Sequence, residues 1–191
     1  MGQYYRIFIC EEDGSSPRVY DPSQHNTYYK LMEHSYYGNE FVGAALSQLS
    51  KGSLRVWWVG DYAKEDDISE EKQEFKPVTR SWDDAYLKVN NKEFEFDAQL
   101  YLINLDTHEY IDLKVVMEQN KIPRWGGSIH PLPLLTVVGN SRGGDDYCSS
   151  SATNKDMVGA WAGDLLQVVD TIPHDDYFPY IEINTNVYFS E

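Results

Sequence analysis

The apolar residues of this chain come in short runs rich in aromatic and β-branched side chains, and clusters of turn residues separate them. Such runs are too short for core helices and suit strands. Residues 3–9 (QYYRIFI) and Leu54–Val59 (LRVWWV) predict two strands, the second buried on both faces. Residues 99–104 and 109–113 predict a hairpin across Leu105-Asp106-Thr107-His108. Leu134–Val138, Leu165–Val169 and Tyr180–Ile183 predict three more strands, with shorter extended pieces at Arg18–Tyr20 and Tyr28–Met32. Clear helical spacing occurs at Glu40–Ser50. There Phe41, Ala45, Leu46 and Leu49 share a face, Asn39 can cap the start, and Lys51-Gly52 closes the end. A weaker helical pattern covers Lys114–Asn120. With no linker dividing it, the chain is expected to be one α+β domain over residues 1–191. A mostly antiparallel sheet would carry the helix of residues 40–50 packed on it.

Charge narrows the function classes. Sixteen Lys and Arg stand against thirty-one Asp and Glu, a net charge of −15. Nucleic acid and anionic membrane surfaces bind through cationic contacts, so neither is an expected partner. A basic protein is attracted and steered in. The excess serves solubility, and it also lets a carboxylate-rich face imitate a nucleic-acid backbone. The densest acidic segment is Lys64–Glu74, a solvated loop or short exposed helix. It offers Glu65, Asp66, Asp67, Glu70, Glu71 and Glu74 as interface candidates. No apolar run approaches the ~20 residues of a membrane helix. The start, MGQYYRIFIC, lacks a basic region followed by a long apolar core, and Cys10 and Cys148 are too few for a disulfide framework. Free thiols and a cytoplasmic location are expected.

Polar residues with chemical potential concentrate between Gly126 and Asp164, where seven of the thirteen glycines lie. This density calls for unusual backbone conformations. Val137 to Asp146 reads as an apolar strand followed by a glycine-rich loop, without the spacing of a Walker or dinucleotide motif. His130, Asn140, Arg142, Asp145, Asp146 and Asp164 are the candidate binding residues. No metal or cofactor is expected; were a divalent cation present, Asp145, Asp146 and His130 would be its ligands. Turn chemistry is the competing explanation, with Arg142 paired to Asp145 or Asp146 and His130 bonded to loop backbone. Trp58-Val59-Gly60-Asp61 and Trp161-Ala162-Gly163-Asp164 share W-x-G-D. If these are two similar turns, Asp61 and Asp164 stay apart; if they form a site, they converge. No G-x-S-x-G occurs, and Asp145 and Asp146 beside Cys148 disfavour a thiolate there, so nucleophilic catalysis is not expected. The acidic, aromatic segment Pro173–Tyr180 suits an interface or a packed chain end.

The segments MGQYY, LMEHS, WVGDYA and HPLPLL, with GN-x-RGG-x-DY and WAGD, resemble an uncharacterised family of small proteins in bacteria and their mobile elements. The resemblance touches most of the chain and implies no activity and no catalytic residue. Charge, aromatic content and the missing catalytic motif lead to the main expectation: a non-enzymatic acidic protein that engages a basic protein partner. An inhibitor of a nucleic-acid-binding defence nuclease, anti-CRISPR-like and carried by a phage or mobile element, fits this description. An immunity protein against a cognate toxin shares its physics. The alternative is a metal-assisted hydrolase or nuclease using His130, Asp145, Asp146 and Asp164, with Asp61 as a further candidate.

Overall fold

The computed structural model describes residues 2–83, 94–119, 127–142, 147, 157–174 and 179–183. Its strands are β1 (Tyr5–Cys10), β2 (Arg18–Tyr20), β3 (Leu54–Gly60), β4 (Tyr101–Asn104), β5 (Glu109–Asp112), β6 (Val137–Val138), β7 (Leu165–Val169) and β8 (Ile181–Glu182). They form one sheet in the order β2-β1-β3-β7-β4-β5-β8, with β6 on β3. Most pairs are antiparallel; β3 with β6 and β5 with β8 are parallel. One edge of β3 is shared. Its first half pairs with β7, Leu54 opposite Leu166, and its second half with β6, Trp58 opposite Val137. The α+β class read from the chain is therefore the observed one.

Alternation along the strands builds two cores, because successive side chains leave a strand on opposite faces. Tyr5, Ile7 and Ile9 of β1, with Val56 and Trp58 of β3, join the larger core. Phe8, Cys10, Trp57 and Val59 join the smaller one. The helices are α1 (Leu31–His34), α2 (Glu40–Leu49), α3 (Glu70–Gln73), α4 (Pro77–Asp83), α5 (Leu113–Gln119) and α6 (Pro131–Thr136). Helix α2 sits in the larger core through Phe41, Ala45, Leu46 and Leu49, and the Asn39 side chain accepts from Phe41 N at 2.9 Å as its cap. The acidic segment folds as a 3-10 turn at Glu65–Asp67 followed by α3, over the smaller core, where Ile68 and Phe75 anchor it.

Two expectations about elements need correction. Leu134–Val138 is not a strand throughout: α6 runs to Thr136, and Val137–Val138 alone is extended. Residues 131–138 are buried on every side. An apolar run buried all round carries no period that separates strand from helix, and Pro131 at the first helical position decides it. Tyr28–Met32 likewise turns into α1 at Leu31, where the Glu33 carboxylate accepts from Lys30 N at 2.9 Å in a capping arrangement. Helix α4 had no counterpart in the sequence reading.

Candidate functional site

Asp164 ends the turn that leads into β7 and is 5% exposed. Gly163 holds that turn at φ +78°, and its N–H donates to the Val56 carbonyl at 2.9 Å. A Cβ on Gly163 would stand 2.5 Å from the Trp57 ring, so the turn needs glycine for both its φ and its fit. Lys72 of α3 reaches inward and donates from Nζ to Asp164 Oδ1 and to the Ala162 carbonyl. Asn104 Nδ2 donates to the other carboxylate oxygen at 2.8 Å, while its own Oδ1 accepts from Asp106 N and Thr107 N. Alongside, Arg55 bridges Asp106 Oδ2 at 3.0 Å, the Gly163 carbonyl at 2.9 Å and the Glu12 carbonyl at 3.0 Å. Asp164 is thus the centre of a clamp joining the acidic segment, the β4–β5 turn and the start of β7. Both its oxygens are committed to protein partners.

The other candidates go to different places. Asn140 accepts from Tyr147 N and donates to the Tyr147 carbonyl, both at 2.9 Å, closing the neck of the glycine-rich loop. Arg142 pairs with Asp67 of the acidic segment. Its expected partners Asp145 and Asp146, together with Gly143, Gly144 and Cys148, lie outside the described residues. His130 is completely buried and caps α6: Nδ1 accepts from Leu132 N at 3.1 Å. The proton then sits on Nε2, which has no partner among the described residues. Burial holds this imidazole neutral, with its pKa pushed down to about 3. His130 packs on Tyr37 and Phe96 and shares no hydrogen-bond partner with Asp164.

The W-x-G-D echo resolves into two turns at opposite ends of β3. Asp164 adjoins Leu165, which faces Arg55, whereas Asp61 follows Gly60. The five steps from Arg55 to Gly60 span about 17 Å of extended strand. Asp61 accepts from Tyr4 N at 3.1 Å. Gly60 differs from Gly163 in its reason for being glycine: its place for a Cβ is filled by the Gln3 side chain.

Sharp local chemistry also lies outside the stretch from Gly126 to Asp164. His34 is completely buried; its Nε2 accepts from Trp58 Nε1 at 2.8 Å and its Nδ1 donates to the Tyr28 carbonyl at 3.0 Å. Burial pushes its pKa down to about 4, the bond to Tyr28 working in the other direction. Arg6 and Asp21 form a buried ion pair at 2.9 Å, and Asp21 also accepts from Ser23 N and Tyr29 Oη. Burial raises the pKa of Asp21, but the hydrogen bonds from Ser23 and Tyr29 and the charge of Arg6 outweigh it and hold the carboxyl below its usual range. The Cys10 thiol is pushed up to about 11 by burial, which makes it inert as a nucleophile. Among the described residues, no three His, Cys, Asp or Glu side chains gather in a metal-binding group, and no helix is long and apolar enough to cross a membrane.

What remains outward-facing is the acidic segment. Asp66, Glu70, Glu71 and Glu74 are exposed and have no ion pair among the described residues. Tyr62, 40% exposed, stands just before them in the chain. With Lys72 turned inward, the cation that would most directly neutralise α3 is withdrawn from its surface. The chain matches no family model, no curated protein and no solved structure, so the roles given to these residues rest on their geometry.

Proposed function

We propose that this chain is an acidic, non-enzymatic binding protein that captures a basic protein partner on the face formed by residues 62–74. A nucleic-acid-binding nuclease of a defence system is the class of partner that this chemistry fits. The observation that carries the reading is the orientation of Lys72. Its ammonium is spent on Asp164 and the Ala162 carbonyl, so Asp66, Glu70, Glu71 and Glu74 stay exposed with no ion pair among the described residues, although Glu74 lines a cleft with Arg55 and Arg80. Fixed carboxylates on a short ordered element present a basic groove with the charge it meets on a phosphate backbone. The exposed Tyr62 adds the amphipathic ring favoured at interfaces. The clamp around Asp164 holds this face rigid, which lowers the entropy lost on binding.

Affinity capture from a bacterial lysate tests the proposal, with the wild type beside a variant carrying Asp66→Asn, Glu70→Gln, Glu71→Gln and Glu74→Gln. The wild type should retain basic proteins that elute as salt rises, and should inhibit nucleic-acid cleavage by the retained fraction. The variant should lose most of that retention at unchanged thermal stability. Retention that ignores both salt and the four substitutions contradicts the proposal.

A further inference from the structure

On the sheet face opposite the acidic segment, an open cavity of about 820 Å³ is walled by Tyr37, Phe94, Phe96 and Met117, with Glu95 and Asp97 at its rim. Its volume lies in the range of small-molecule sites, roughly 300–1,000 Å³. The rings stand nearly at right angles: Phe94 and Phe96 at 77° with centroids 5.1 Å apart, Tyr37 and Phe96 at 69° with centroids 6.2 Å apart. Rings crossed this way do not cover one another as a stacked pair would, and a corner between crossed rings can turn π-faces toward one ammonium. The wall is anchored. Tyr37 Oη donates to the Leu113 carbonyl at 2.7 Å, and Phe94 and Phe96 lie against Gly43 of α2.

Charge selects the occupant. Glu95 and Asp97 are exposed and have no ion pair among the described residues, and the whole chain carries −15, so an anion is repelled. A neutral apolar molecule would leave both carboxylates unused. Beneath Tyr37, at a centroid distance of 4.5 Å, lies the buried imidazole of His130, kept neutral by desolvation and so adding no positive charge to the floor. We infer that this cavity binds a small organic cation with an alkylammonium head, the head against Tyr37, Phe94 and Phe96 and its charge balanced by Glu95 and Asp97. The cavity is set apart from the partner face. Phe94 and Phe96 pack on the larger core, whereas Ala63 and Phe75, which bracket the acidic segment, pack on the smaller one across the sheet. The two sites therefore lie on opposite faces of the sheet, and this inference stands whether or not that docking occurs.

Choline is the probe, and 3,3-dimethylbutan-1-ol, its uncharged carbon counterpart of the same shape, is the control. Calorimetric titration of the full chain should give saturable choline binding, with the neutral alcohol at least about fivefold weaker, the ratio expected of a cation–π contact. Phe96→Leu should weaken choline binding by about the same factor. Because Phe96 is half-buried, a second variant, Glu95→Gln with Asp97→Asn, alters exposed groups alone; it should weaken choline and leave the alcohol unchanged. Equal affinity for the two probes, no choline binding at millimolar concentration, or a double variant that binds choline as the wild type does would overturn the inference.

Discussion

Lys72 serves two purposes with one ammonium: it neutralises a buried carboxylate and, by pointing inward, leaves α3 negative on its outer side. Removing one member of a buried pair costs about 3–5 kcal/mol, because the other charge stays buried without its partner. Lys72→Met is therefore expected to lower the unfolding free energy by about 3 kcal/mol, the low end, since the Lys72 side chain is 22% exposed. Chemical denaturation measures this; a loss under about 1 kcal/mol would mean that Asp164 draws little from the pair. At Gly163 the backbone is at φ +78° and the Trp57 ring fills the space for a Cβ, whereas Gly38, at φ +81°, has no atom within 4 Å of that position. Gly38→Ala should cost about 1 kcal/mol from φ strain alone, and Gly163→Ala clearly more because the indole must also move. Similar losses at both positions would show that the indole yields freely.

At the scale of elements, two neutral histidines support short helices: His34 joins α1 to β3 through Trp58, and His130 caps α6. Each has a folded pKa below its unfolded value of about 6.5. The unfolded chain thus binds more protons as the pH falls below about 6.5, so stability is full above that value and declines toward the folded pKa values of about 4 and about 3. At pH 5 each histidine lies about 1.5 pH units into that window, and the two together should remove about 4 kcal/mol relative to pH 7. Denaturant titrations at the two pH values read this directly; a stability that holds or rises at pH 5 contradicts the neutral assignments. Most of the strands, the hairpin and α2 were legible in the chain because one-sided or bounded apolar patterns leave a period to read. Helix α6 was not, since it is buried on every side, and α4 was not, since Pro77 to Asp83 shows no clear apolar stripe. Among the described glycines of residues 126–164, Gly139, Gly159 and Gly163 take positive φ, the constrained backbone that the glycine density implied. The partners of Arg142 and Asp164 were illegible, because Asp67 and Lys72 are more than seventy residues away in sequence and arrive through the sheet. The cavity had no signature either: Tyr37, Phe94 and Met117 are ordinary in their own segments and meet through tertiary packing.

Across the whole molecule, the sheet separates two surfaces with different chemistry. One carries the carboxylates of residues 65–74 over the smaller core, and the other carries the aromatic cavity beside the larger core. A net charge of −15 alone would attract polycations everywhere, so the account stands on where contact occurs. The most direct measurement is amide chemical-shift mapping of the intact chain titrated with hexa-arginine at about 0.15 M salt, where screening beyond ~8 Å suppresses diffuse attraction. The account expects saturable shifts concentrated at Tyr62, Asp66, Glu70, Glu71 and Glu74, abolished by neutralising the four carboxylates. Shifts scattered over acidic residues on both faces of the sheet, or unchanged in the neutralised variant, would contradict it.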